Sequence, residues 1–133
     1  MYVYNPSNFS VNYANWSGGV ASQLYNSDTN TTVAANSWVI ADTVTLPAGR
    51  YIGMVFAKVP GTPGARMLMI MTTDPNTGDG GSYHVSADNN DRSCCTAPFV
   101  YYQTGNVTWY LRVYCSLGYN YTLHHGYYIY KIG

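Results

Sequence analysis

Val107-Thr108-Trp109-Tyr110-Leu111-Arg112-Val113-Tyr114-Cys115 has the repeat of a β-strand along its whole length. Val107, Trp109, Leu111, Val113 and Cys115 fall on one face and Thr108, Tyr110, Arg112 and Tyr114 on the other, as successive residues of a pleated strand must. A helix would scatter the same five apolar side chains around its circumference. One apolar face has to be buried against another layer, so this stretch predicts a sheet packed on a second element.

The flanking sequence extends that pattern. Residues 99–103 form a preceding strand, and Thr104-Gly105-Asn106 carries a tight-turn signal between the two. Downstream, Gly118 marks a turn, 119–124 reads as a short strand, Gly126 permits another turn, and 127–132 closes the chain. Further upstream, 37–46 is a half-buried strand with Trp38, Ile40, Val44 and Leu46 on one face and Val39, Thr43 and Thr45 on the other. Asp42 interrupts the apolar face of that strand, which marks a bulge or a buried hydrogen bond. Pro47-Ala48-Gly49 then turns the chain into a strand over 51–59, and Pro60-Gly61-Thr62-Pro63-Gly64 turns it into another over 66–73. These two read as a hairpin. Residues 17–37 and 74–93, rich in Gly, Ser, Asn and Asp, read as loops. About eight to ten strands result, at the spacing of an antiparallel two-sheet β-sandwich.

Composition agrees with this class. Only 9 % of the 133 residues are charged, Tyr contributes 15, and no glutamate occurs. Helix formers are scarce, while Tyr, Val, Ile, Thr and Trp are common. The length suits one domain over 1–133, with 1–36 a less regular N-terminal segment packed on it. Net charge is zero and the six Lys and Arg residues are scattered, so no basic stripe exists to release phosphate counterions and nucleic acid is excluded as a partner. The first residues carry neither a basic nor an apolar targeting region, and no apolar run reaches the roughly twenty residues of a membrane span. The expectation is a soluble protein without membrane insertion or signal peptide.

No constellation points to catalysis, metal or cofactor. The six carboxylates are Asp28, Asp42, Asp74, Asp79, Asp88 and Asp91. All but Asp42 fall in polar loops, where Asp stabilises turns. His124 and His125 point to opposite faces of a strand, and share a metal only if the chain turns at Gly126. His84 stands alone. Residues 74–81 resemble a calcium loop but fail the EF-hand pattern, with Gly78 and Asp79 in the wrong order and no following Glu, so a Gly-rich turn is expected. Cys94, Cys95 and Cys115 read as free thiols, the alternative being one bridge from Cys94 or Cys95 to Cys115. Five Asn-x-Ser/Thr triplets are what an Asn- and Thr-rich chain produces by chance.

Two features point to binding. Tyrosine combines a large stiff ring with a polar tip, which suits recognition surfaces and sugar-stacking platforms. Trp16, Tyr83, Tyr110, Tyr114, Tyr119 and Tyr121 are the candidate ligand-binding residues. The middle strands are also apolar on both faces. Met67, Met69 and Met71 alternate with Leu68 and Ile70, and Ile52, Met54 and Phe56 alternate with Val55 and Ala57. A sandwich buries one face per sheet, so the second is covered by loops or by another copy of the chain.

The run Val44-Thr45-Leu46-Pro47-Ala48-Gly49-Arg50-Tyr51-Ile52, the strand 107–114 and the ending Tyr128-Ile129-Tyr130-Lys131-Ile132-Gly133 together resemble the jelly-roll heads related to tumour necrosis factor and the complement globular head, especially those of bacteriophage fibres and other virion proteins. The resemblance covers about residues 37–133. It implies jelly-roll topology and a homotrimer packed through Met54, Phe56, Met67, Met69, Met71, Tyr128 and Tyr130. It also implies a place on the virion surface after synthesis in the host cytoplasm, as a fibre tip, head fibre or capsid decoration bound to a host-surface glycan or another virion protein. A long shaft is expected to be absent or a separate polypeptide. The alternative is a monomeric carbohydrate-binding module or lectin.

Overall fold

The computed structural model describes residues 23–60, 66–76, 82–87 and 92–133, of which 60, 82–87 and 92–95 are described by their backbone. Eight strands follow in order: β1 (Gln23–Val33), β2 (Trp38–Leu46), β3 (Gly49–Pro60), β4 (Arg66–Thr72), β5 (Ser82–Ala87), β6 (Arg92–Gln103), β7 (Val107–Cys115) and β8 (Tyr121–Lys131). They form two antiparallel sheets, ordered β1-β8-β3-β6 and β2-β7-β4-β5. β1 pairs with β8, β2 with β7, β3 with β6 and β4 with β5, which is the pairing of one long hairpin with its tip between β4 and β5. Rolling that hairpin up lays β8 against β3 and β7 against β4. The result is a jelly roll, so the expected all-β sandwich stands, with eight strands among the described residues.

The inner faces meet in a single core. Val44, Leu46, Met67, Met69, Leu111 and Val113 from one sheet pack on Tyr51, Val55, Phe99, Leu123 and Ile129 from the other. Each large side chain so buried stabilises the fold by about 1.5–3 kcal/mol before conformational entropy is set against it. β7 faces inward as its alternation predicts, with Trp109, Leu111, Val113 and Cys115 buried.

Several expectations are corrected. Strands β3 and β4 are not a hairpin, because they lie in opposite sheets and the chain crosses the sandwich between them. A turn signal shows that the chain reverses, and says nothing of which strand it then pairs with. The stretches 17–37 and 74–93 hold β1 and β5, so they are not simply loops, and β1 makes part of the N-terminal segment integral to the first sheet. Residues 1–22 lie outside the described residues. β8 runs unbroken through Gly126, joining the two short strands expected there, and β6 begins at Arg92.

Asp42 does mark a bulge: the β2–β7 register shifts between Ile40 and Asp42. That extra residue swaps the faces of the strand. Val39 and Ala41 pack on the core before it, Val44 and Leu46 after it, and Trp38 and Ile40 lie outside. The methionines of β4 are also reassigned. Met67, Met69 and Met71 are fully buried between the sheets, and Ile70 on the opposite face is buried within the chain as well. They offer no surface to a second copy. Of these two strands, β3 leaves its second apolar face open, with Ile52 and Met54 exposed.

Candidate functional site

The open face belongs to the β1-β8-β3-β6 sheet. Strand register lays Leu24, Tyr130, Ile52 and Val100 side by side across its four strands, then Asn26, Tyr128, Met54 and Pro98, then Asp28, Gly126, Phe56 and Thr96. Their chain neighbours Val55, Phe99 and Ile129 point into the core, so these side chains point out. Ile52, Met54 and Val100 are 47, 42 and 69 % exposed, and Leu24, Tyr102 and Tyr130 are exposed with them. Singly exposed apolar residues are ordinary; adjacent rows of them across four strands form a contiguous patch.

Gly126 shapes the third row. A Cβ there would stand 1.9 Å from the Ser27 carbonyl oxygen and 2.8 Å from Phe56 Cζ, so glycine is required by close approach and not by a turn. The Phe56 ring stacks on Tyr128 at 5.9 Å and meets His124 edge-on at 5.5 Å. Asp28 closes this row, accepting from the Tyr128 hydroxyl at 3.1 Å and bonding His124 Nε2. The His124 hydrogen bond, then that of Tyr128, holds the Asp28 carboxyl below the usual carboxylate range. The same contact with Asp28 raises the Tyr128 phenol.

His125 lies on the other face of β8. Its ring is wholly buried, with Nδ1 2.5 Å from Asp42 Oδ2 and Nε2 2.8 Å from Thr31 Oγ1. Ser27 donates its hydroxyl to Asp42 Oδ1 at 2.8 Å. An ionised Asp42 can only accept, so Nδ1 carries the proton, and in the neutral ring Nε2 accepts from Thr31. The bulge aims Asp42 inward to complete this set. Carboxylate, imidazole and hydroxyl stand in the order of a proton relay. Here they join edge strands β1 and β2 to β8 across the side of the sandwich, filling polar positions where apolar packing is missing.

Of the residues expected to form an oligomer interface, Met54, Phe56, Tyr128 and Tyr130 come together on the open face, and the three β4 methionines do not. The ligand-binding candidates are dispersed. Tyr110 and Tyr114 lie half-buried on the outside of the β2-β7-β4-β5 sheet, Tyr114 against Trp38 at 5.7 Å. Tyr119 is exposed in the β7–β8 connection. Tyr121 is buried because it shares the inward face of Leu123, and burial pushes its phenol up to about 12, so it cannot be a surface platform. Trp16 and the Tyr83 side chain lie outside the described residues. Cys115 is a free, buried thiol, raised by that burial, so the alternative bridge to it from Cys94 or Cys95 on β6 is not formed. Asp74 accepts from the Asn76 backbone at 2.9 Å, as a turn residue does. Among the described residues no group of three His, Cys, Asp or Glu could hold a metal, and no helix is long and apolar enough to cross a membrane. The contacts of His125 with Asp42 and Thr31, and of Asp42 with Ser27, leave one trace in the sequence, the polar intrusion at Asp42.

This architecture defines a class of fold, the two-sheet antiparallel jelly roll. VP2 of infectious bursal disease virus, in its subviral particle, matches with TM-score 0.54 at 11 % identity over 84 % of this chain and 33 % of that one. The Gt strain of the same virus matches with TM-score 0.51 at 12 % identity, over 84 % and 33 %. TmCBM61, in complex with β-1,4-galactotriose, matches with TM-score 0.44 at 15 % identity, over 98 % and 97 %. The chain spans about one third of the length of the viral chains it matches. At such identities the likeness is one of fold, and the resemblance read from the sequence holds at that level. No protein-family model and no curated protein sequence matches.

Proposed function

We propose that this chain is a structural and receptor-binding jelly-roll protein of a virion, a fibre tip, head fibre or capsid decoration, which acts as a homotrimer and does not catalyse a reaction. The observation that carries the proposal is the exposed apolar patch formed by Leu24, Ile52, Met54, Val100 and Tyr130 on the β1-β8-β3-β6 sheet. A monomer would leave it in water as an association liability, and two further copies of the chain would cover it. A chain that shares the fold, VP2 of infectious bursal disease virus, comes from a subviral particle, which supports the reading of a virion protein. The buried Asp42–His125–Thr31 set is read as a clamp between strands. A host-surface glycan or another virion protein is the ligand left to the remaining surface, and a monomeric carbohydrate-binding module is the second reading, favoured by one aromatic cleft taken up below. Light scattering on the purified chain tests the assembly: three times the chain mass is expected, and a clean monomer would remove the homotrimer.

A further inference from the structure

Tyr101 occupies a position where a core residue should be, yet it is wet. It shares the inward face of β6 with Ala97 and Phe99 and lies opposite Tyr51, which is buried, while Tyr101 itself is 47 % exposed. The sandwich gapes there. A cavity of ≈ 270 Å³ opens between the ends of β4, β6 and β7, lined by Met71, Thr72, Thr73, Val100, Tyr101 and Trp109, with Phe99 behind. That is below the roughly 300–1,000 Å³ of sites for drug-sized ligands, so it suits a single ring better than an extended molecule.

The walls are rigid before any ligand arrives. Tyr101 stands edge-on to Trp109 at 4.6 Å, and Phe99 meets Trp109 at 5.0 Å and 89°. The indole of Trp109 is fixed in turn, donating to Gln103 Oε1 at 3.1 Å, while the Gln103 amide donates to the carbonyls of Leu46, Pro47 and Gly105. An aromatic surface held in this way loses little freedom on binding.

The chemistry of the lining selects the ligand. Among the described residues that line it there is no Asp, Glu, Lys, Arg or His, so a phosphate, sialic acid or amine would lose its hydration there without a counter-charge from them. The cleft pairs an aromatic wall with the polar residue Thr73. Thr72 has its hydroxyl oxygen engaged by the Asp74 backbone N–H at 3.1 Å. A neutral pyranose matches both parts, with its C–H face on the electron-rich face of a ring and a hydroxyl bonded to Thr73. We infer that the cleft between β4, β6 and β7 binds one neutral sugar ring, with Tyr101 as the stacking platform and Thr73 as a polar contact. This rests on the glycan part of the function proposed above and not on self-association.

Saturation-transfer NMR with the methyl glycosides of glucose, galactose, mannose and N-acetylgalactosamine, and with N-acetylneuraminic acid, tests it on the whole chain. Transfer to the ring C–H protons of at least one neutral glycoside is expected, with less to the charged sugar. Tyr101→Ala should weaken binding roughly tenfold, the value of one stacked ring, whereas Tyr101→Phe and Tyr119→Ala should retain it. Thr73→Ala, which removes no aromatic contact, should weaken it by several-fold and serves if Tyr101→Ala does not fold. Absence of transfer to every neutral glycoside, stronger transfer to the charged sugar, or wild-type transfer in folded Tyr101→Ala would overturn the inference. Light scattering on the same samples separates the two readings. Assembly without sugar transfer removes the cleft alone, and transfer in a monomer removes the homotrimer alone. Val100 borders both the patch and the cleft and is left unaltered.

Discussion

Asp42→Ala is the most informative single perturbation of this fold. Asp42 is 11 % exposed and its two oxygens take the Ser27 hydroxyl and His125 Nδ1. Hydrogen bonds to a charged group contribute about 1.5–3 kcal/mol each, and a buried donor left alone costs about 1–3 kcal/mol. These figures overlap, because losing the carboxylate and stranding the His125 N–H are largely one event. A cost of about 3–5 kcal/mol is therefore expected, the range for breaking a buried pair from one side. Asp42→Asn should cost only about 1 kcal/mol, since the amide oxygen still accepts from Ser27, and the amide N–H can donate to Nδ1 if the proton moves to Nε2 and is given to Thr31. In a cycle with His125→Ala the coupling energy should reach about 2–3 kcal/mol. Urea unfolding measures all four proteins, with the slope unchanged if only stability has moved. A cost below about 1 kcal/mol for Asp42→Ala, or no coupling to His125, would refute the closed cluster.

Two other perturbations probe the open sheet. Gly126→Ala should destabilise the protein by about 3 kcal/mol, because a Cβ 1.9 Å from the Ser27 carbonyl forces β1 away from β8, whereas Gly105→Ala, with nothing within 4 Å, should stay within about 0.5 kcal/mol in thermal unfolding. The Asp28 carboxyl is held below its usual range, first by His124 and then by Tyr128, so its contribution to stability is complete above that range and disappears as pH falls through the depressed value. The Tyr128 phenol is raised by the same contact, so its contribution is complete below the usual phenol range and fades as pH rises through the raised value. Asp28→Asn should flatten the acid limb of a pH–stability profile and bring the NMR titration of Tyr128 back toward an ordinary tyrosine; an unshifted Tyr128 titration would show that the contact is not formed in solution.

Strands with one apolar face were legible in sequence, and strands stabilised by polar partners were not. β7 could be placed from alternation alone, because burial between sheets demands it, whereas β4 is apolar on both faces and its alternation does not say which face is inner. β1 gave no such alternation: Ser27 and Thr31 face inward and bond to Asp42 and His125, so its sequence looks like a loop. Gly126 was misleading for another reason, since the glycine that signals a turn is here the glycine that lets β1 and Phe56 approach. Asp42 marks both a bulge and a buried hydrogen bond, and the bulge turns outward Trp38 and Ile40, which a strict two-residue repeat places inside. The open face required knowledge of which strands are neighbours, and only register supplies that: Leu24, Tyr130, Ile52 and Val100 are far apart in sequence and adjacent in the sheet. Tyr101 was hidden similarly, because an inward position says nothing about whether the core extends that far.

Sedimentation velocity on three proteins tests the proposed self-association through the β1-β8-β3-β6 face most directly. Ile52 and Ile40 are nearly equally exposed, at 47 and 43 %, but lie on the outer faces of opposite sheets. The wild-type chain and Ile40→Lys should sediment as trimers, and Ile52→Lys, which places a charge in the centre of the apolar rows, should sediment as a monomer that keeps its fold. A monomeric wild-type chain, or a trimer that survives Ile52→Lys and dissociates with Ile40→Lys, would contradict the account.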